Sequence, residues 1–122
     1  MGKYRKDNIL IIGDLHALFE HSNYLDFCVS VRERCKCGTI VFIGDLVDNH
    51  SISFHEIDPD GLAPEDEMHE ADEHLAPWFE AFPEAYICRG NHDCLADRKR
   101  RHVGLPKRAF KSYRDIWNLP DT

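Results

Sequence analysis

Three short polar blocks of the sequence carry the side chains best suited to chemistry: "GDLH" at 13–16, "GDLVDN" at 44–49 and "GNHD" at 90–93. Every block contains a carboxylate, two contain a histidine, and two contain an asparagine. Carboxylate oxygen, imidazole nitrogen and amide oxygen are donor atoms that divalent metal ions take from proteins. The blocks therefore indicate metal-assisted chemistry, provided that the fold brings them to one place.

The spacing within the first two blocks suits metal binding. Asp14 and His16 lie two residues apart, which in extended backbone points both side chains to the same side. Asp45 follows Gly44, which allows a sharp turn, and its two oxygens offer one ligand to each of two cations. Asp48 comes three residues later and is placed to orient another ligand. Each block taken alone is also typical of an ordinary turn after a strand.

The adjacent side chains of the third block are suited to different roles. Neighbouring side chains diverge, so Asn91 and His92 are not expected to serve the same atom. The amide oxygen of Asn91 suits a metal ion, whereas the imidazole of His92 would face a substrate. Asp93 would then fix that imidazole and raise its basicity.

The elements that must position these blocks are short apolar runs and amphipathic stretches. The runs "NILIIG" at 8–13, "TIVFIG" at 39–44 and "AYIC" at 85–88 predict strands that are buried on both faces, because polar residues do not alternate within them. Apolar residues at helical spacing predict a helix capped by Ser22, a second helix from Pro64 to Phe82, and a third over 106–117.

Strands that alternate with helices predict an α/β layered fold, in which crossover helices join parallel strands. The carboxyl ends of parallel strands lie at one edge of the sheet, and ligands bind beyond that edge. All three polar blocks follow predicted strands directly. We therefore expect them to meet at one site.

Length and composition favour a single cytoplasmic domain. The chain has 122 residues, 43% of them hydrophobic, which predicts one domain over 1–122. No apolar run approaches the roughly 20 residues that span a bilayer, so no membrane association is expected. Five cysteines, an odd number, predict reduced thiols and a cytoplasmic location.

Charge is distributed unevenly along the chain. The net charge of −7 disfavours general nucleic-acid binding. Eleven acidic residues and no Lys or Arg lie between Glu56 and Glu84, whereas residues 98–122 carry eight basic and two acidic residues. Such segments are typical of solvated surfaces. The basic segment 98–114 also leaves open an attraction for a phosphate-bearing substrate or a nucleic-acid strand.

The three polar blocks together resemble the signature blocks of the calcineurin-like metallophosphoesterase superfamily, over about residues 8–97. The resemblance implies a layered metallophosphoesterase sheet and the hydrolysis of phosphate monoesters or diesters. It implies two divalent metal ions of the manganese, iron or zinc type at the carboxyl ends of the strands. Asp14 and His16 would bind the first ion, Asp45 would bridge both, and Asn91 would bind the second.

The resemblance also implies the remaining catalytic roles. His92 would contact the phosphate or protonate the leaving oxygen, supported by Asp93 or Asp48. The substrate would be a phosphate ester, and nucleic acid is possible but not preferred.

The sequence departs from the family pattern after the third block. The later histidine and the Gly-His-x-His block are absent, and the second metal ion would have only Asp45 and Asn91 as ligands from this chain. We therefore expect an N-terminal portion of a longer enzyme that holds only the N-terminal half of the family's fold. Two alternatives stay open. One is a truncated, non-catalytic relative that binds a metal or nucleotide, and the other is a nuclease-type member that uses the segment 98–114.

Overall fold

Three parallel strands form an open sheet in the computed structural model, which describes residues 2–120. The strands are β1 (Arg5–Ile12), β2 (Cys37–Phe42) and β3 (Tyr86–Ile87), and β2 lies in the middle. Ile12 of β1 pairs with Phe42 of β2, which pairs with Ile87 of β3, so the three carboxyl ends are level. The predicted α/β fold with parallel strands is confirmed.

Helices connect and follow the strands. The helices are α1 (Tyr24–Cys35), α2 (Pro64–Ala81), α3 (Leu95–His102) and α4 (Tyr113–Trp117). Pro64 is the first residue of α2, where its missing N–H costs no hydrogen bond. Short 3-10 turns lie at His50–Ile52, His92–Cys94 and Lys107–Ala109.

The helix prediction after β3 was wrong in two respects. The helix predicted over 106–117 is a 3-10 turn followed by the five residues of α4, because Ser112 has extended backbone and accepts a hydrogen bond from the Asp115 N–H as the N-cap. The prediction also missed α3, whose sequence "LADRKRRH" has only two apolar residues, Leu95 and Ala96. Ser22 is not the cap of α1, which begins after Asn23.

The core lies between one face of the sheet and helix α2. Ile12 and Phe42 are each 1% exposed on that face. The ring of Trp78 from α2 packs edge-on against Phe42, with ring centroids 6.1 Å apart, and Phe82 lies 6.3 Å from Phe42. Burial of these large side chains fixes the position of β2 relative to α2. It therefore also fixes where the carboxyl ends of the paired strands lie.

The opposite face of the sheet is exposed among the described residues, so the prediction of strands buried on both faces was wrong. Ile9 and Ile11 are 55% and 61% exposed, whereas Leu10 and Ile12, which alternate with them, are buried. An apolar run without polar alternation indicates a strand, but it does not show that both faces are covered.

Two further findings concern membrane-spanning helices and the cysteines. In the part of the chain that the structure describes, no helix is both long and apolar enough to cross a bilayer. All five cysteines are free thiols, of which Cys28 and Cys37 are buried.

Candidate metal centre

The three polar blocks meet at the carboxyl edge of the sheet and are joined by backbone hydrogen bonds. The His16 N–H donates to the Asp45 carbonyl at 2.9 Å, which ties the first block to the second. The His92 N–H donates to Asp45 Oδ1 at 2.8 Å, which ties the third block to the second. Asp45 is therefore the residue to which both other blocks are anchored.

Two glycines allow the second and third blocks to approach this closely. A Cβ atom at Gly90 would lie 2.3 Å from Asp45 Oδ1 and 2.4 Å from the Asp45 nitrogen, where real Cβ atoms are essentially never found. Gly44 has φ of +124° and packs against Gly90, whose Cα would lie 2.8 Å from a Cβ at Gly44. The glycines of "GDLVDN" and "GNHD" thus make space for the backbone of the site.

The backbone of the predicted ligands is strained. Asp14, His16 and Asp45 have φ angles of 46°, 50° and 52°, in the left-handed region that residues other than glycine rarely adopt. Such conformations persist only where the surrounding structure enforces them, and they cluster at functional sites. Here they turn successive side chains toward one point at the edge of the sheet.

Asp14, His16 and Asp45 bring potential ligand atoms to within 4.8 Å of one another. His16 Nε2 lies 3.8 Å from Asp45 Oδ2, a separation that one cation between the two atoms would fill. Two carboxylates and one imidazole suit a divalent ion of borderline hardness, such as manganese, iron or zinc. The donor set therefore fits the first of the two predicted metal ions.

Asp48 orients His16. Its Oδ1 lies 2.8 Å from His16 Nδ1, and a carboxylate can only accept from that ring nitrogen. The proton of His16 is therefore on Nδ1, and the lone pair on Nε2 is directed to the predicted metal position. This carboxylate–histidine pairing fixes the tautomer of a ligand histidine and raises its basicity.

His92 stands beside the same group. Its ring lies 4.6 Å from the ring of His16, and its Nδ1 is 2.7 Å from the backbone carbonyl of Asp48. Since a carbonyl only accepts, Nδ1 carries the proton and Nε2 is the ring nitrogen available to a substrate. His16, Asp48 and His92 form a second group of potential ligand atoms within 4.8 Å. In this second group the Nδ1 atoms of both histidines already donate to Asp48, His16 to its carboxylate and His92 to its backbone carbonyl, so the first group has more donor atoms free for a metal ion.

Asp93 does not contact the imidazole of His92. Its carboxylate is 4% exposed and accepts from the N–H groups of Gly90, at 2.8 Å, and Val47, at 3.2 Å. Of the two residues predicted to support His92, Asp48 lies next to it and Asp93 holds the second and third blocks together. Asp93 also lies near Tyr113, and burial together with the negative charge of Asp93 raises the pKa of the Tyr113 phenol.

Asn91 is exposed at the rim of the site. Its Oδ1 lies 3.5 Å from a guanidinium nitrogen of Arg98, and among residues 2–120 its side chain forms no hydrogen bond to Asp14, His16 or Asp45. The structure brings Asp14, His16 and Asp45 together and leaves Asn91 beside them. The expectation that Asn91 binds a second ion together with Asp45 stays a prediction.

Two positioning residues were missed in the sequence. Asn49 Nδ2 donates to the His92 carbonyl at 2.9 Å, and Asn49 is the last letter of "GDLVDN". Tyr24 donates its hydroxyl proton to the Gly13 carbonyl at 2.8 Å, which fixes the residue before Asp14. Burial raises the pKa of Tyr24, so the phenol stays protonated as this bond requires. No sequence signal marks Tyr24, because its partner is a backbone carbonyl 11 residues away.

Comparison with known proteins places the chain in a family. A family model described as calcineurin-like phosphoesterase matches residues 8–122. The chain belongs to this family. The resemblance predicted from the three blocks is thereby confirmed. No curated protein and no solved structure matches the chain.

Membership gives the site a chemical context. Calcineurin-like phosphoesterases are metal-dependent hydrolases of phosphate esters, and this chain has a group of potential metal ligands at the edge where its three blocks meet. The predicted metal ligands Asp14, His16 and Asp45 are members of that group.

Proposed function

We propose that this chain is a metal-dependent hydrolase of phosphate esters. The observation that carries the proposal is the convergence of Asp14, His16 and Asp45 within 4.8 Å of one another, beside the imidazole of His92. Family membership supports the same reaction class. The substrate is a phosphate monoester or diester.

Asp14, His16 and Asp45 would hold one divalent cation, and Asp45 and Asn91 are the residues offered to a second. A bound cation supplies charge stabilisation on the phosphate oxygens during cleavage. Asp48 holds His16 in the tautomer that ligation requires. The Asp45 carboxylate stays in place because it accepts from the backbone N–H of His92.

His92 acts on the substrate through Nε2. Its Nδ1 proton is committed to the Asp48 carbonyl, so the ring cannot rotate without losing that hydrogen bond. When Nε2 is protonated, it donates to a phosphate oxygen or passes its proton to the leaving oxygen. General acid catalysis of this kind contributes about 10²- to 10⁴-fold to turnover.

One observation favours a second candidate function. Only Asp45 and Asn91 are predicted as ligands of the second ion, which is fewer than a tightly bound ion needs. The second candidate is therefore a metal- or nucleotide-binding module that binds one metal ion without turnover. The five free thiols support a reducing cytoplasm as the compartment that we propose for either function.

The test compares three variants in hydrolysis of an aryl phosphate monoester and diester with added Mn²⁺. We expect Asp45→Ala to lose metal binding and activity, and His92→Ala to keep metal binding while turnover falls about 10²- to 10⁴-fold. His69→Ala is the control, because His69 is 71% exposed on α2 and should not affect either property. Full activity in His92→Ala would contradict its assigned role. Tight metal binding without turnover in the unmodified chain would favour the second candidate, the non-catalytic binding module.

A further inference from the structure

A group of cationic side chains surrounds the ring of Phe54 at the rim of the metal centre. The guanidinium carbon of Arg98 lies 4.7 Å from the ring centroid, and Lys99 Nζ lies 4.2 Å from it. The imidazole of His102 packs 5.0 Å from the same ring. We call Phe54, Arg98, Lys99 and His102 the Phe54 cluster. An aromatic ring attracts cations to its face, so Phe54 holds two of them together despite their mutual repulsion.

Among residues 2–120, the two cations of the Phe54 cluster, Arg98 and Lys99, have no acidic partner. Asp97, the carboxylate nearest in sequence, is bound by Arg100 at 2.7 Å and Arg101 at 3.0 Å. In the described part of the chain, neither Arg98 nor Lys99 forms an ion pair. Two adjacent cations that face solvent without a carboxylate have their hydrogen-bond donors available to an anionic ligand.

The cluster borders the predicted metal ligands. Arg98 Nη1 lies 3.5 Å from Asn91 Oδ1, which is too long for a strong hydrogen bond and leaves the guanidinium donors available. Asn91 is next to His92, and His92 is bonded to Asp45. A cation at this edge of the sheet and the Arg98 guanidinium would repel each other, and an anion bound beside both would relieve that repulsion.

We propose that the Phe54 cluster binds a second phosphate group, joined to the one that is hydrolysed. This inference rests on the proposed function and names its substrate class: an ester of a compact polyphosphate, with at least two linked phosphates, of which the one that carries the ester bond is hydrolysed. Arg98 offers a planar pair of N–H donors that matches phosphate oxygens, and Lys99 adds a mobile point charge.

The charge distribution favours a compact ligand over a nucleic-acid strand. A strand would extend beyond the cluster over a chain of net charge −7, with eleven acidic residues between Glu56 and Glu84. The Phe54 ring already contacts Arg98, Lys99 and His102, so it does not offer the open stacking platform that single strands use. A polyphosphate needs only the local cations.

The test is isothermal titration of the manganese-loaded chain with methylenebisphosphonate, methylphosphonate and a single-stranded oligonucleotide. The first compound carries two linked phosphonates that are not hydrolysed, and the second carries one. The variant is Arg98→Gln with Lys99→Gln. The control is Arg5→Gln with Lys6→Gln, which removes the same charge from the amino end of β1, at the opposite edge of the sheet.

We expect the double variant in the cluster to bind methylenebisphosphonate about 10- to 100-fold more weakly, with methylphosphonate affinity nearly unchanged. The control pair should leave both affinities unchanged. An equal loss for both compounds, or no loss for either, would overturn the inference while leaving the proposed function standing. Tighter binding of the oligonucleotide than of the bisphosphonate would overturn it in favour of a nucleic-acid strand. A chain that binds neither phosphonate would overturn the proposed function as well.

Discussion

The contact between Gly90 and Asp45 can be tested by adding a single methyl group. In Gly90→Ala, the new Cβ would lie 2.3 Å from Asp45 Oδ1 and 2.4 Å from the Asp45 nitrogen, whereas real Cβ atoms essentially never come closer than 3.0 Å. One of the two contacting groups is backbone, so rotation of the Asp45 side chain cannot relieve the clash. The second and third blocks must therefore separate by about 0.6 Å or more.

This separation decides the expected effect on metal binding. Ligand distances at metal sites hold within about 0.2 Å, so a shift of this size removes Asp45 from a productive position. We expect Mn²⁺ affinity to fall about 10- to 100-fold, comparable to loss of a residue that orients a ligand. The free energy of unfolding should fall by about 1–3 kcal/mol, the usual cost of an overpacked site.

Gly13→Ala is the matched control. Gly13 also directly precedes a predicted ligand, Asp14, but its added Cβ would meet only the side chain of Ile43, at 3.2 Å, which is able to move. Calorimetric titration with Mn²⁺ and urea unfolding should be run on both variants. If Gly90→Ala binds Mn²⁺ as tightly as Gly13→Ala, the close packing of the two blocks does not position Asp45.

Two other residues give independent predictions. Asp48→Ala should lower Mn²⁺ affinity about 10- to 100-fold, because His16 loses the carboxylate that fixes its tautomer. The control is Asp72→Ala, on the exposed side of α2. Equal Mn²⁺ titration curves for the two variants would contradict the role assigned to Asp48. Burial raises the pKa of Cys28 to about 11, so at pH 8 about one thiol in a thousand is ionised and alkylation, followed by mass spectrometry, should be far slower than at exposed Cys35. Because the folded-state pKa is raised from 9.0, the contribution of Cys28 to the free energy of unfolding is complete below about pH 9 and is lost as pH rises to about 11. Alkylation of both thiols at the same rate, or a free energy of unfolding that does not change over this pH range, would count against the burial of Cys28.

The sequence predicted the parts of the site that depend on local pattern. Asp14, His16 and Asp45 each follow an apolar run, and parallel strands carry such residues to a common edge. The glycines before Asp45 and Asn91 were visible as turn residues. Their closer function, the mutual contact of Gly44 and Gly90, depends on the packing of two loops that are distant in sequence.

The partners of the polar side chains could not be read from the sequence. Asp93 follows His92 directly, which suggested a contact, yet the 3-10 turn at His92–Cys94 carries its carboxylate to the backbone of Gly90 and Val47. Asp48 reaches His16 across 32 residues, a pairing that only the alignment of strands creates. Helix α3 was not predicted because apolar residues at helical spacing are the main helix signal, and this helix has only two apolar residues. It is stabilised instead by i,i+3 and i,i+4 ion pairs from Asp97.

We propose that the three blocks form one metal centre with Asp45 at its middle. Equilibrium dialysis against Mn²⁺ tests it most directly, with the unmodified chain beside Asp45→Asn, which keeps the shape of the side chain and removes its charge. We expect at least one tightly bound ion per unmodified chain, and affinity at least 10-fold lower in Asp45→Asn. Equal binding by the two chains would mean that these residues do not form the metal centre.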